Sequence, residues 1–319
     1  MNNGLEVGIS LSISWPLGLP ESETLLSLAE HCDAHGFDAL WSGDHVQMYS
    51  PLLDSLTLLA AYAARTKRLK IGVGVYLLGL RHPLAAAKQL ATIDYLSNGR
   101  FICGIGVGGE ITIEWDALGI PVKERASRVD EGIAILKRLW GDEPSVTHEG
   151  RHYRFRDIVI DPKPPQGRDL PIWIGGRSDA ALRRAARVGD GWLAYVVTPD
   201  RYRESLEKIQ AWAPEYGRDP SRITPGTLIF ISTHPDRAVA RRRAVEGLTV
   251  RYNQNFENLV DKYCAFGTVD ECTEAIAQYV AAGVRHVVLS PLVPAADLPD
   301  QVALWTEELL PALRKLPVP

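Results

Sequence analysis

The chain has 319 residues, of which 46% are hydrophobic and 23% charged, and its formal net charge is −4. This composition is typical of a folded globular protein and argues against a disordered chain. The positive and negative charges are interspersed, so the sequence indicates no basic surface for nucleic acid or an anionic membrane. No apolar run approaches the roughly 18 residues of a membrane-spanning helix, and four dispersed cysteines form neither a disulfide framework nor a zinc motif. We therefore expect a cytoplasmic protein that has no metal site and binds neither nucleic acid nor membrane.

Short apolar or β-branched runs alternate with longer amphipathic stretches almost throughout the chain. The predicted strands are Leu5–Leu11, Ala39–Trp41, Leu69–Val75, Phe101–Ile105, Ile172–Ile174, Gly191–Tyr195, Thr227–Ile231 and His286–Leu289. The predicted helices cover residues 21–35, 54–64, 83–97, 124–140, 178–188, 199–213, 236–248 and 268–282, with a last helix near 297–314. Because eight strands each followed by a helix is the count of a parallel barrel, we predict an α/β fold, a (β/α)8 TIM barrel formed by one domain, residues 1–319. A doubly wound open sheet would accommodate most of the same pattern.

Three segments are too long for simple loops. They are Gly106–Lys123 after the fourth strand, Gly141–Leu170 with a hairpin-like stretch at Val146–Phe155, and Gly247–Gly267 after the helix that follows the seventh strand. Long loops in compact domains are usually lids or binding elements, and the segments that follow barrel strands lie at the catalytic face. We expect insertions at the C-terminal face, with Gly247–Gly267 covering the barrel mouth; a solvent-exposed extension or a dimer contact is the alternative.

The second predicted strand is followed by Asp44 and His45. The C-terminal ends of barrel strands carry the catalytic groups in enzymes of this architecture, and histidine exchanges protons near neutral pH. This position indicates that His45 is a candidate catalytic residue. The alternative is a loop histidine that caps a nearby backbone group.

Glycines interrupt the third predicted strand at Gly72 and Gly74. A glycine inside a strand indicates a bulge or the close approach of another group. Arg81 follows this strand and either reaches the barrel mouth or lies as a solvated cation on the surface.

A run of glycines, residues 104–109, follows the fourth predicted strand and ends in Glu110. It matches G-x-G-x-x-G, but Pro121 interrupts the following segment and Asp130 lies inside a predicted helix, which argues against a dinucleotide fingerprint. We instead expect a bare backbone surface that a flat ring or a phosphate can approach closely, with a tight strand-end turn as the alternative. The residues concerned are Gly106, Val107 and Gly108.

A second glycine motif, Gly175-Gly176-Arg177-Ser178, leads from the fifth predicted strand into a helix. Free N–H groups at a helix start, bare glycine backbone and an adjacent arginine together suit an anion. We expect a phosphate group to bind at Gly175, Gly176 and Arg177. Ser178 could instead simply cap the helix, and barrel phosphate sites more often follow the seventh and eighth strands.

Four segments, residues 81–110, 114–140, 162–192 and 266–289, resemble the bacterial luciferase-like flavin and deazaflavin oxidoreductases. The linked motifs are specific together, and the resemblance extends from about residue 5 to about residue 290. It implies a TIM barrel that binds FMN or the 5-deazaflavin coenzyme F(420) at its C-terminal face, often in a homodimer.

The resemblance also implies roles for particular residues. The segment Val73, Gly74 and Val75 would carry a bulge or a non-prolyl cis peptide bond that supports the cofactor ring. The residues after the fourth strand and the Gly175–Arg177 element resemble those that hold the cofactor phosphate. Asp44-His45 and Glu110 look like positions of the deazaflavin branch, in whose sugar-phosphate dehydrogenases the histidine is a base and the glutamate an acid.

The leading interpretation is an oxidoreductase that uses F(420) to transfer a hydride to or from a small organic substrate, with His45 moving a proton and Glu110 assisting. The alternative is an FMN-dependent monooxygenase that uses O2 and reduced flavin supplied by a flavin reductase. A third possibility is a cofactor-free binding protein with a degenerate barrel, against which the intact glycine motifs argue. Four aromatic residues would wall an apolar pocket or lie in the ordinary core: Trp15, Tyr76, Trp115 and Tyr195.

Overall fold

The computed structural model describes residues 4–11 and 15–318. Its centre is a ring of eight parallel strands: β1 (Glu6–Ser10), β2 (Ala39–Ser42), β3 (Lys70–Tyr76), β4 (Phe101–Ile105), β5 (Ile172–Gly175), β6 (Gly191–Tyr195), β7 (Thr224–Thr233) and β8 (His286–Pro291). Each strand pairs with the next, and β8 pairs with β1, so the sheet closes into a barrel. The predicted (β/α)8 fold is confirmed, and the open doubly wound sheet is wrong.

Helices surround this barrel. They are α1 (Ser22–Ala34), α2 (Ser55–Arg65), α3 (Pro83–Leu96), α4 (Thr112–Ala117), α5 (Arg125–Trp140), α6 (Asp179–Val188), α7 (Pro199–Trp212), α8 (Arg237–Tyr252), α9 (Val260–Tyr263), α10 (Val269–Ala281), α11 (Leu298–Leu304) and α12 (Leu310–Arg314). Trp305–Leu309 joins the last two as a π-helix, so the last predicted helix is present over residues 298–314 with a π-helical segment in its middle. No helix in the described part of the chain combines the length and the apolar character that crossing a bilayer requires.

The long segments contain short helices and strands, of which the sequence predicted only the hairpin. Residues 106–123 include α4, and the predicted hairpin forms from Val146–Glu149 and Arg154–Ile158. Within residues 247–267, α8 continues to Tyr252, and Cys264–Gly267 is a strand that pairs with the C-terminal end of β7. The helices α4 and α9, with six and four residues, are too short to show a helical period in the sequence.

Two tryptophans fill the barrel interior. Trp41 on β2 and Trp173 on β5 are 1% and 4% exposed, and their ring centroids lie 5.3 Å apart. Glycines on neighbouring strands leave room for them: a Cβ atom on Gly72 would lie 2.4 Å from the Trp41 ring, and one on Gly191 would lie 2.5 Å from the Trp173 ring. Below its mouth the barrel is therefore a packed core, as in other barrels of this type.

A polar chain lies at the N-terminal ends of the barrel strands. Buried His286 accepts a hydrogen bond from Trp41 Nε1 (3.1 Å) at Nε2, and its Nδ1 lies 2.8 Å from Glu6 Oε2. Lys70 Nζ lies 2.6 Å from the other oxygen of Glu6. Burial alone would raise the pKa of Glu6, but the hydrogen bonds from His286 and Lys70 outweigh burial and lower this pKa to about 2.

This depressed pKa makes part of the folding free energy sensitive to acid. The contribution of Glu6 to the free energy of unfolding is fully present above the ordinary carboxyl pKa of 4.5. It is lost as the pH falls toward about 2, because the folded state stabilises the ionised carboxylate of Glu6. Between about pH 6 and about pH 2, we expect wild type to lose up to about 3 kcal/mol more unfolding free energy than Glu6→Gln loses. Urea unfolding at both pH values measures the difference, and equal losses in the two proteins would contradict it.

Candidate active site

Two adjoining cavities open at the C-terminal ends of the barrel strands. The inner cavity has a volume of about 400 Å³ and lies against the ends of β2 to β6, and the outer cavity has about 740 Å³ and lies beneath the segment that follows α8. The residues that line both are His45, Met48, Glu110, Arg177, Tyr195 and Tyr252. We refer to these spaces as the inner cavity and the outer cavity.

The inner cavity brings together nearly all of the site residues that the sequence predicts. Those that line it are Asp44, His45, Gly74, Val75, Gly106, Val107, Gly108, Glu110, Gly175, Gly176 and Arg177. Val73 does not line either cavity and is fully buried, so a direct contact of its side chain with a cofactor is not supported. The structure thus clusters the predicted residues, and their roles remain predictions.

The floor of the inner cavity is an irregular stretch of β3. The peptide bond between Gly74 and Val75 is cis, and the pairing of β3 with β4 shifts register between Val73 and Tyr76. The predicted bulge or cis peptide bond is therefore confirmed.

Glycines on and just after β4 and at the end of β5 give this stretch of β3 the space that it occupies. A Cβ atom on Gly104 would lie 2.2 Å from the carbonyl oxygen of Val73. Cβ atoms on Gly106 and Gly175 would lie 2.3 Å and 2.6 Å from the two methyl groups of Val75. These distances are far inside van der Waals contact, so packing against β3 already requires glycine at all three positions.

Asp44 holds the loop after β2 against the end of β3. Its Oδ1 accepts hydrogen bonds from Ser55 Oγ (3.0 Å) and Arg81 Nη2 (2.9 Å), and its Oδ2 accepts one from the Leu77 N–H (2.9 Å). Burial raises the pKa of Asp44, and the Arg81 cation opposes that rise. Arg81 is therefore the partner of a buried carboxylate and not a freely solvated cation.

The Asp44–Arg81 pair is expected to matter mainly for stability. Asp44→Ala leaves a largely buried guanidinium without its anion, which costs about 3 kcal/mol or more of unfolding free energy. Urea denaturation measures this loss. The control is Glu23→Ala, which removes an exposed partner of Arg65 (3.0 Å) and should cost at most about 1 kcal/mol. Equal losses in the two variants would contradict the role assigned to Asp44.

The ring of His45 is hydrogen-bonded to Glu114, a residue that the sequence analysis did not select. His45 Nδ1 lies 3.0 Å from Glu114 Oε2, and the carboxylate is almost wholly buried. Burial alone would raise the pKa of Glu114, but the hydrogen bonds from His45, Gln47 and Val46 lower it. The sequence could have indicated Glu114, because it lies in the mainly apolar segment Ile111–Trp115 and a carboxylate among apolar residues needs a partner.

Glu110, the glutamate that was predicted from the sequence, has a different hydrogen-bond partner. It is exposed at the boundary of the two cavities, and its Oε1 accepts a hydrogen bond from the Tyr195 hydroxyl. Burial and the Glu110 carboxylate raise the pKa of Tyr195 well above its ordinary value, so this hydroxyl remains a donor at neutral pH. Glu110 and His45 therefore border the same space, each oriented by another side chain.

One corner of the inner cavity suits an anion. Gly176 has a φ of +114°, which favours glycine, and the chain then enters α6 with Ser178 as its N-cap, accepting from the Ala181 N–H (3.4 Å). Arg177 lies over the Tyr195 ring, 5.6 Å from its centroid. Arg125, the first residue of α5, also lines this cavity and was missed, because its position on a helix gives no sequence signal.

The segment after α8 lines the outer cavity. Tyr252, Gln254 and Phe256 line it, which agrees with the prediction that residues 247–267 cover the barrel mouth, whereas Asn253 ends α8 with a left-handed φ of 49°. Among the four aromatic residues with two possible roles, Tyr195 lines both cavities and the others are buried in hydrophobic clusters: Trp15, Tyr76 and Trp115.

Within residues 4–11 and 15–318, no group of three or more His, Cys, Asp and Glu side chains is placed to hold a metal ion.

Comparison with known proteins adds independent information. The sequence profile of the family described as luciferase-like monooxygenase matches residues 13–286. An F(420)-dependent glucose-6-phosphate dehydrogenase from Microbacterium testaceum is 30% identical, over 91% of this chain and 93% of its own length.

Solved structures share the fold. An F(420)-dependent secondary alcohol dehydrogenase in complex with an F(420)-acetone adduct has a TM-score of 0.86 at 21% identity, covering 98% of this chain and 100% of that one. The oxygenating constituent of 3,6-diketocamphane monooxygenase from Pseudomonas putida, in complex with FMN, has a TM-score of 0.78 at 21% identity, over 99% and 100% of the two chains. The same architecture thus serves both a deazaflavin and a flavin enzyme.

Proposed function

The chain belongs to the luciferase-like monooxygenase family and is an oxidoreductase. From this premise we propose that it holds coenzyme F(420) in the inner cavity. It transfers a hydride between this cofactor and a small organic alcohol or carbonyl compound in the outer cavity. The observation that carries the proposal is the position of His45 at the boundary of two cavities of about 400 Å³ and about 740 Å³. A group there can exchange a proton with a substrate while a flat cofactor lies beside it. The 30% identical relative from Microbacterium testaceum is named for the same cofactor.

The inner cavity fits a flat ring that carries a phosphate. Its floor is formed by Val75, and Gly106 and Gly108 also line it. The start of α6 and the cations Arg125 and Arg177 lie where a phosphate would find N–H donors and positive charge. These residues would hold the cofactor.

The chemistry divides between the cofactor and the chain. A bound deazaflavin supplies the acceptor or donor of the hydride. His45 takes the proton of the substrate hydroxyl in oxidation and returns it in reduction, which is general acid–base catalysis. The hydrogen bond between Glu110 and Tyr195 places a second polar group at the same boundary, where it orients the substrate.

Visible spectroscopy tests the cofactor. We expect the purified protein to bind F(420) and to bleach its oxidised form when a suitable alcohol is added without O2. Turnover that instead requires O2 and reduced FMN from a flavin reductase would overturn the proposal in favour of the monooxygenase. That alternative has support in the FMN-bound relative with the same fold. Binding of neither cofactor would favour a degenerate barrel.

The anion corner makes a separate prediction. Arg125→Ala and Arg177→Ala should each raise the dissociation constant of the cofactor about 10-fold or more, because a hydrogen bond to a charged group contributes roughly 1.5–3 kcal/mol. Fluorescence titration measures this. Arg203→Ala removes an exposed arginine on α7 that lines neither cavity, and should leave the affinity unchanged. Wild-type affinity in the first two variants would show that the phosphate lies elsewhere.

We further propose that residues 1–319 form one domain, that the protein is cytoplasmic and, from the family resemblance, that it is a homodimer. The four cysteines are free thiols, which suits a reducing compartment. Sedimentation equilibrium would give the mass of the assembly, and a monomer would contradict the dimer. A single thermal transition in calorimetry is the expected result for one domain.

A further inference from the structure

Glu114 is surrounded by hydrogen-bond donors. Besides the contact with His45 Nδ1, its Oε1 accepts hydrogen bonds from the backbone N–H groups of Val46 (2.6 Å) and Gln47 (2.9 Å). One carboxylate therefore binds both the ring of His45 and the two residues that follow it. This arrangement holds the loop after β2 and the ring in one orientation.

The helix that carries Glu114 is itself held in place. Trp115, the next residue, has no exposed surface and packs with Leu77 and Leu80, which follow β3. Asp44 binds the Leu77 N–H from the opposite side of the loop. Glu114 thus lies next to packed and hydrogen-bonded residues, as expected of a group that orients a catalytic side chain.

We propose that Glu114 is a positioning residue that keeps the proton of neutral His45 on Nδ1, so that Nε2 is the atom that exchanges a proton with the substrate. An ionised carboxylate can only accept hydrogen bonds, so the ring nitrogen that faces it must carry a hydrogen. Among the described residues, none hydrogen-bonds the other nitrogen, and His45 borders both cavities. The same logic links the acid and the histidine in hydrolase triads.

The step in which this orientation acts rests on the proposed function. In oxidation of an alcohol, the carbinol C–H bond breaks and its hydride passes to the oxidised deazaflavin. The O–H bond breaks, its electrons form the C=O bond, and the proton passes to Nε2 of His45. The resulting imidazolium is stabilised by Glu114 at Nδ1. Reduction of the carbonyl compound runs the same transfers backwards.

Glu114→Gln separates this role from simple packing. The two backbone N–H groups continue to hold the amide oxygen, so the NH2 group faces Nδ1 and donates to it, which moves the ring proton to Nε2. We expect kcat to fall by about 10²- to 10⁴-fold, with KM, cofactor affinity and melting temperature close to wild type. Glu114→Asp, which keeps the charge, should recover part of the lost kcat. Asp116→Asn, an exposed change on the same helix, should turn over like wild type.

The ring proton can be observed directly, without cofactor or substrate. Nitrogen-15 NMR of protein labelled at histidine, with His45→Ala used for assignment, should show the Nδ1–H form of His45 in wild type and the Nε2–H form in Glu114→Gln. An Nε2–H ring in wild type would overturn the proposal even if Glu114→Gln failed to fold. Wild-type kcat in Glu114→Gln would also overturn it and leave the proposed function intact. Absence of any F(420) turnover in wild type would refute the proposed function while the NMR result still decides the orientation.

Discussion

His45→Ala is expected to cut turnover by about two to four decades while leaving cofactor affinity close to wild type. The size follows from the loss of general acid–base catalysis, which typically contributes about 10²- to 10⁴-fold. The specificity follows from the contacts of the ring, because His45 hydrogen-bonds Glu114, whereas the anion corner is formed by the backbone at Gly176 and the start of α6. Steady-state kinetics and cofactor titration on one variant measure both quantities.

Other outcomes for His45→Ala would assign other roles. A dissociation constant that rises while kcat is unchanged would mean that the ring holds the cofactor. A lowered melting temperature with small kinetic effects would mean that His45 braces its loop against Glu114. Wild-type turnover would rule out proton transfer by His45, and Glu110 would then be the leading candidate. His35→Ala, at the exposed C-terminal end of α1, is the matched control and should change neither turnover nor cofactor affinity.

Gly104→Ala should destabilise the protein by about 3 kcal/mol or more and impair cofactor binding. The added Cβ would lie 2.2 Å from the carbonyl oxygen of Val73, a backbone atom that no side-chain rotation can move away. Overpacking in a core typically costs 1–3 kcal/mol, and a backbone contact this close belongs at the upper end or above. Any relief would shift β3 at Val73–Val75, and with it the floor of the inner cavity.

Gly4→Ala is the control for this substitution, because a Cβ there would have nothing within 4 Å. Like Gly104→Ala, it lowers the conformational entropy of the unfolded chain, but it adds no contact in the folded state. Its unfolding free energy should therefore stay within about 0.5–1 kcal/mol of wild type. Urea unfolding and cofactor titration distinguish the two variants. If Gly104→Ala were as stable as Gly4→Ala and bound cofactor normally, the packing explanation for the glycines around β3 would be wrong.

The sequence was sufficient for the architecture. Strand and helix periods depend on residues a few positions apart, so the eight runs from β1 to β8 and the helices between them could be read locally. The parallel barrel then follows from their alternation and number. Once the barrel is accepted, Asp44-His45, the glycine run before Glu110 and Gly175–Arg177 must lie at one face, because each follows a strand. The bulge near Val75 came from the family resemblance.

The pairing of side chains at that face was decided by the tertiary structure alone. His45 binds Glu114, 69 residues away in the chain, rather than Glu110, because α4 turns the first of these glutamates inward and leaves the second exposed. Gly104, Gly106 and Gly175 are required by the approach of β3, and Arg125 reaches the inner cavity from the start of α5. Periodicity indicates which face of an element is buried, but not which distant residue meets it. That depends on the closure of the barrel and the direction of each side chain, which no local pattern contains.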